Sequence, residues 1–375
     1  VDMDIQMVDL RGQYLGIKNE IDAAIQGVID SSAFIRGPVA AAFEKDLSTY
    51  LDGVGSIGVA NGTDALQIAL MALDIGPGDE VIAPSFTFVA TAEAVGLLGA
   101  TTVFVDIDPK TFNMDAAEVE RLITPKTKAI VPVHLFGQCA NMTAIMDIAE
   151  ANGIAVIEDA AQAVGASWNG KKAGSWGEMG TLSFFPTKNL GCYGDGGAVL
   201  SKRADLLEHA RLISNHGSKK KYHNEVVGVN SRLDAIQAAI LGVKLKKLDE
   251  YSEARRRAAS RYTEFLHDLP GVATPIIDSR GTHVFHQYTM RVLGNDPSKR
   301  DAVQSHLKSN GIPSFVYYPV PLHLLPIYKN DTVSYRVGKM DNTLVAANEV
   351  LSLPMHTELT EEQLSFIAAA VRSFF

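Results

Sequence analysis

Cysteine is nearly missing: the 375 residues hold two, Cys139 and Cys192. Two thiols build no disulfide framework, so a reduced, cytoplasmic setting is expected, with Cys192 a small buried filler rather than a nucleophile. No apolar run is long enough to cross a bilayer, and the opening VDMDIQMVDL has no basic stretch leading into an apolar one. Neither a membrane span nor a secretory signal is therefore expected. An excess of positive charge is also lacking, because the formal net charge is −9 with both signs mixed along the chain. That balance argues against nucleic acid as the main partner. The one basic run, KKKYH at 219–223, reads as a solvated loop, with an anionic-ligand site as the alternative. Internal repeats and low-complexity segments are absent, and no G-x-G-x-x-G follows the first strand candidate. The last absence counts against a nicotinamide dehydrogenase, the usual guess for a chain that alternates strand and helix.

What is present is apolar residue in quantity: 46% of the chain is hydrophobic and 21% charged, enough for a large core and two domains. Seven short runs read as strands: SIGVAN, EVIAPS, TVFVDID, AIVPVHLFG, IAVIEDAA, TLSFFP and GAVLS. Several are apolar almost throughout, as strands covered on both faces must be. Helical patterns at 64–73, 89–98, 115–122 and 142–151 lie between most of them. This rhythm predicts an α/β fold, with a largely parallel sheet flanked by helices. The segment VGVNSRLDAIQAAILGVKLKKLDEYSEARRRAASRYTEFLHDL reads as one long helix connecting two domains. Beyond it lie a strand near HQYTMRVL, a helix at 298–309, and a last helix opened by a capping box of Thr360 and Gln363. The expected division is a large α/β domain at 1–250, including an N-terminal helix, and a smaller C-terminal α+β domain at 251–375.

Ligands of parallel α/β sheets gather at the carboxyl ends of the strands. Those ends offer Gly62 and Thr63 in ANGTDAL, Phe88 in SFTFVAT, Asp159 and Gln162 in VIEDAAQA, and Ser183 and Lys188 in LSFFPTKNLG. Each has an ordinary reading. Gly62 and Thr63 could simply start a helix, Asp159 could cap one, Phe88 could be core, and Lys188 could be a solvated loop residue. Together they fit one chemistry better. Pyridoxal phosphate needs an amine for covalent attachment, a carboxylate for its ring nitrogen, a flat partner and a phosphate pocket at a helix N-terminus. Pro186 and the surrounding glycines would fix the turn that presents a neutral, nucleophilic Lys188.

The motifs ANGTDAL, VIEDAAQA, SFFPTKNLGCYGDGGA and VGVNSRLDAIQAAIL, in that order, resemble the DegT/StrS family of sugar aminotransferases over nearly the whole chain. The resemblance implies the PLP-dependent transferase fold type I. It implies Lys188 as the residue bonded to the cofactor and as acid–base catalyst, and Asp159 on the pyridine nitrogen. Gln162 would lie near the phenolic oxygen and Phe88 would stack on the ring. Gly62, Thr63 and Ser183 would hold the phosphate, with Asn230 reaching it from a neighbouring subunit of a homodimer. Without a partner Asn230 reads only as a helix-start residue. Arg232 reads either as a salt bridge at the long helix or as a bidentate clamp for a carboxylate, of glutamate as amino donor or of a uronic acid sugar.

FGQCA, LGCYGDGGA and YHNEVVGVNSRLD point within the family to the branch that aminates UDP-2-acetamido-2-deoxy-3-keto-glucuronic acid, for surface-polysaccharide assembly. Branches acting on 4-keto hexoses share every cofactor residue and remain the alternative. Tyr317 stands where relatives often carry histidine, and Tyr318 follows as a candidate substrate contact. A sugar dehydratase is disfavoured, because dehydratases of the family replace the lysine by histidine. A non-catalytic regulator would be expected to have lost part of the cofactor set. No metal is called for.

Overall fold

The computed structural model describes residues 4–220, 222–329 and 332–375; Val1–Met3 and Lys221 of the basic run lie outside them. The N-terminal segment forms α1 (Leu10–Gly16), α2 (Lys18–Ser31) and α3 (Gly37–Tyr50). The alternating part then runs β1 (Gly55–Val59), α4 (Gly62–Ala72), β2 (Glu80–Pro84), α5 (Ala90–Leu97), β3 (Thr101–Val105), α6 (Ala116–Leu122), β4 (Thr127–Ile130), α7 (Met142–Asn152) and β5 (Ala155–Asp159). A small hairpin, β6 (Ser167–Trp168) and β7 (Lys171–Lys172), precedes β8 (Met179–Ser183), β9 (Gly197–Ser201) and α8 (Ala204–Ile213). A second hairpin, β10 (Ser218–Lys220) and β11 (His223–Asn224), leads to α9 (Ala235–Leu245) and α10 (Leu248–Leu266). The C-terminal part comprises β12 (Val272–Ala273), β13 (Tyr288–Val292), α11 (Pro297–Ser309), β14 (Tyr335–Val337), α12 (Asp341–Glu349), β15 (Val350–Leu353) and α13 (Glu361–Phe374).

Among the described residues, eight strands form the main sheet in the order β1-β9-β8-β5-β4-β2-β3-β14, and β9 alone runs against the other seven. The central strands are buried on both faces, which their near-continuous apolar sequences require. One face is covered by a core that includes Phe43, Leu47, Val156 and Phe184, the other by a core with Leu66, Ile68, Val81 and Ile157. A third core, with Tyr262, Tyr288, Leu307, Leu353 and Ile367, belongs to the small sheet β12-β13-β15 and to α10, α11 and α13. We propose residue 250 as the division between these bodies, with β14 returning to the edge of the main sheet beside β3.

The single long helix expected over 227–269 is two helices preceded by extended chain. Asn230 pairs with Asn215 in an isolated bridge, and the Ser231 amide donates to the Ser214 carbonyl at 3.0 Å, so this stretch is tied to the sheet side before α9 begins. The chain bends at Lys247 (φ −105°, ψ −3°), whose amide donates to the Lys244 carbonyl. The apolar stripe has to leave α2 and α3, on which α9 lies, and turn to α13. One straight cylinder cannot serve both surfaces. At α13 the capping box is present, with Thr360 and Gln363 exchanging side-chain and backbone bonds. Among the described residues, no helix is long and apolar enough to cross a membrane.

Candidate active site

The carboxyl ends of β1, β2, β5 and β8 open on one cavity of about 790 Å³. At its floor, α4 begins directly after β1. The Asn61 side chain accepts from the Asp64 amide, which leaves the Gly62 and Thr63 amides at the positive end of the helix without side-chain caps. A Cβ at Gly62 would lie 2.6 Å from the Ser183 Cβ, and one at Gly197 would lie 2.4 Å from the Asn61 carbonyl. Glycine at both positions is what brings the Ser183 hydroxyl beside the α4 N-terminus, where an oxyanion such as a phosphate is best held.

Asp159 ends β5 with its carboxylate buried. One oxygen accepts from the Thr91 hydroxyl at 2.7 Å and the other from the Ala161 amide at 3.1 Å. Behind it, Glu158 is fully buried and accepts from His134 Nε2 and from the Gly174, Trp176 and Gly177 amides. The Ala140 amide donates to His134 Nδ1, so the imidazole proton sits on Nε2 and points at the carboxylate. The backbone of His134 also donates to the Asp159 carbonyl. The acid in the cavity is thus held by a fully bonded anion one residue away.

Lys188 follows β8 on a tight turn, its amide donating to the Phe185 carbonyl at 2.8 Å. The side chain lines the cavity, and burial lowers its amine to about 8, partly offset by the charge of Asp159. The turn is gripped from beneath by one face of α9. Gln237 binds the Tyr193 backbone, and the buried Lys244 amine donates to the Gly191 carbonyl at 2.8 Å and lies 4.4 Å from the centre of the Tyr193 ring. Cys192, read as filler, is buried, and burial pushes its thiol up to about 11.

Gln162 is fixed by two bonds: its carbonyl accepts from the Phe136 amide at 2.7 Å, and its amide donates to the Tyr318 hydroxyl at 3.2 Å. Phe88 is 56% exposed and faces the cavity near Tyr318, their ring centres 6.4 Å apart. Tyr317 also lines the wall. The cavity therefore gathers Gly62, Thr63, Phe88, Asp159, Gln162, Ser183, Lys188, Tyr317 and Tyr318. It does not gather Asn230 or Arg232. Arg232 lines a separate cleft between α3 and the sheet, where its guanidinium reaches Asn215 at 3.5 Å.

Several lining residues escaped the sequence reading, Thr91, Thr187 and His286 among them. Thr91, on the first turn of α5, carried no signal beyond its spacing from Thr87. Thr187 precedes the lysine and was passed over as turn. His286 is 7% exposed, its Nδ1 has no hydrogen-bond partner among the described residues, and burial followed by the charges of Lys188 and Arg255 holds the imidazole well below its ordinary range. Arg255 donates to the carbonyls of Phe285, His286 and Met355 and so fixes that segment.

These residues fit pyridoxal phosphate on features of the cavity itself: a helix start closed by glycines with the Gly62 and Thr63 amides free of side-chain caps, a buried carboxylate, and a lysine whose amine burial lowers to about 8. When bound, that cofactor supplies an electron-withdrawing ring and an aldehyde carbon that accepts amines. Gly62, Thr63 and Ser183 would hold its phosphate, Asp159 its ring nitrogen and Lys188 its carbonyl carbon. The Lys188 amine would also be the base placed to take a proton from the substrate carbon and return it. The fold and the cavity define a PLP-dependent aminotransferase of fold type I.

Comparison with known proteins gives the same class. The chain belongs to the DegT/DnrJ/EryC1/StrS aminotransferase family, whose family model matches residues 16–372. It is 50% identical to a pleiotropic regulatory protein of Geobacillus stearothermophilus, across 100% of this chain and 99% of that protein. It is 46% identical to a UDP-2-acetamido-2-deoxy-3-oxo-D-glucuronate aminotransferase of Pseudomonas aeruginosa, across 98% and 99%. The crystal structure of Streptomyces venezuelae DesV with a ketimine intermediate superposes with a TM-score of 0.94 at 40% identity, covering 99% of this chain and 98% of that one.

Proposed function

We propose that the protein transfers the amino group of glutamate to a keto nucleotide-sugar, UDP-2-acetamido-2-deoxy-3-keto-D-glucuronic acid, in the cytoplasm, for surface-polysaccharide biosynthesis. The observation that carries the reading is the pairing of Lys188 and the buried Asp159 across one cavity whose floor is a helix start with the Gly62 and Thr63 amides free of side-chain caps. The likeness to the Pseudomonas enzyme supports the sugar. The working unit is a homodimer in which Asn230 and Arg232 of one subunit serve the cavity of the other. What supports this is that a lone subunit keeps both outside its own cavity. Arg232 would then clamp the carboxylate of glutamate and of the uronate in turn.

Enzyme charged with glutamate and then offered a panel of keto nucleotide-sugars tests the reading. The 3-keto uronate should restore the original absorbance and yield one amino sugar per 2-oxoglutarate. Restoration by a 4-keto hexose alone would overturn the substrate assignment. The Geobacillus relative's name favours a second reading, a regulator. Protein that took up pyridoxal phosphate but released no 2-oxoglutarate from glutamate would support that reading instead.

A further inference from the structure

The cleft that holds Arg232 holds two more guanidiniums, those of Arg36 and Arg211, against one carboxylate, Glu44. Arg211 takes that carboxylate, its Nη2 2.8 Å from an oxygen of Glu44. Among the described residues the Arg232 side chain has only the hydrogen bond to Asn215, at 3.5 Å. Among the described residues Arg36 has neither an ion pair nor a side-chain hydrogen bond, and it shares the cleft with the other two cations. Burial first, then the neighbouring charges of Arg211 and Arg232, lower its guanidinium from the ordinary range, with Glu44 opposing.

Three further features converge on this residue. Arg36 has φ +59° and ψ −140°, a region that favours glycine, so its backbone is strained where its side chain has no partner. It stands at the N-cap of α3 without a capping bond, and no acidic residue lies in the first turn, so the positive helix end adds to the local potential. The loop is also pinned to the segment of Arg232: Ile35 bridges Asp234, and the Ala235 amide donates to the Phe34 carbonyl at 2.9 Å. Three guanidiniums against the single carboxylate of Glu44 leave positive charge in excess, and with strained and bridged backbone holding them together they form a prepared oxyanion site.

We propose that Arg36 is a specificity-determining residue that joins Arg232 in binding the carboxylate of an acidic nucleotide-sugar. This rests on the uronate reading given above and adds its second cation. A neutral sugar gives the pair nothing to bind, so the cost of holding two guanidiniums together is relieved only by the acidic substrate.

The test is calorimetric titration of the cofactor-loaded enzyme with UDP-glucuronate and UDP-glucose, which differ only at the C6 carboxylate. Their shared diphosphate cancels in the ratio of the two affinities. Wild type is expected to prefer the acid by about tenfold or more, as a charge-assisted contact should. Arg36→Met should reduce the ratio to about two to threefold by weakening only the acidic ligand, and Arg36→Lys should recover part of it. A wild-type enzyme without preference would overturn both the clamp and the uronate reading. A preference kept intact in Arg36→Met would overturn the role of Arg36 alone.

Discussion

At the scale of single residues, burial makes two amines unusual, and the chemistry depends on one of them. Lys188 is lowered to about 8, so a substantial fraction is neutral and nucleophilic near physiological pH. Lys188→Ala should fold normally, judged by an unchanged unfolding midpoint in the cofactor-free state, and lose amino transfer by about 10³-fold or more. Borohydride reduction of the wild-type holoenzyme should place the cofactor adduct on the peptide containing position 188, and turnover retained by the variant would refute the assignment. Lys244 does no chemistry, yet it too is lowered to about 8 from an ordinary 10.5 by burial. Between those values the unfolded chain holds a proton that the native chain has released, so stability rises with pH; below 8 the native state carries the full cost of a buried charge. Lys244→Met removes that slope. The difference in urea stability should therefore shift toward wild type between about pH 8 and 10, by up to about 2–3 kcal/mol, and a difference that stayed constant would refute it.

At the scale of elements, the sheet was legible because its strands are short, doubly buried and bounded by turns, and the catalytic residues because Asp159 ends such a strand and Lys188 lies on the turn that follows one. Asp159 and Lys188 could be named from VIEDAAQA and SFFPTKNLG for that reason. The break between α9 and α10 was not legible: Lys246 and Lys247 are good helix formers, and only the two different surfaces beneath the chain separate the helices. His286 was missed because its significance is an unpaired nitrogen, which exists only once β13 is packed. The clamp behind Asp159 is likewise a product of folding, since Glu158 meets amides 16 to 19 residues further along the chain. Glu158→Gln leaves one of those donors, or His134, facing an amide hydrogen. It should cost about 2–4 kcal/mol in urea unfolding and should reduce cofactor affinity through Asp159. A variant as stable as wild type would show that the anion is dispensable there.

At the scale of the whole molecule, the single chain leaves apolar side chains exposed around its cavity and its arginine cleft. Its cavity is open beside Phe88, which is 56% exposed, and Phe185, which is 51% exposed. Phe34 and Ile35, on the loop next to the arginine cleft, expose 44% and 55%. Apolar side chains at the mouth of one site and beside the other are what a self-complementary contact of two subunits would cover. If Arg232 of each subunit serves the partner's Lys188, subunits damaged at different positions should repair one another. Lys188→Ala and Arg232→Ala homodimers are each expected to be nearly inactive. When they are mixed and allowed to exchange, about half of the dimers are hybrids, and each hybrid owns one complete cavity. Activity should then climb to about a quarter of wild type, following the rate of subunit exchange measured independently by native mass spectrometry. If hybrids form and activity stays at the level of the parents, Arg232 acts within its own subunit. The chain would then have to rearrange around α3 to bring that guanidinium to the cofactor.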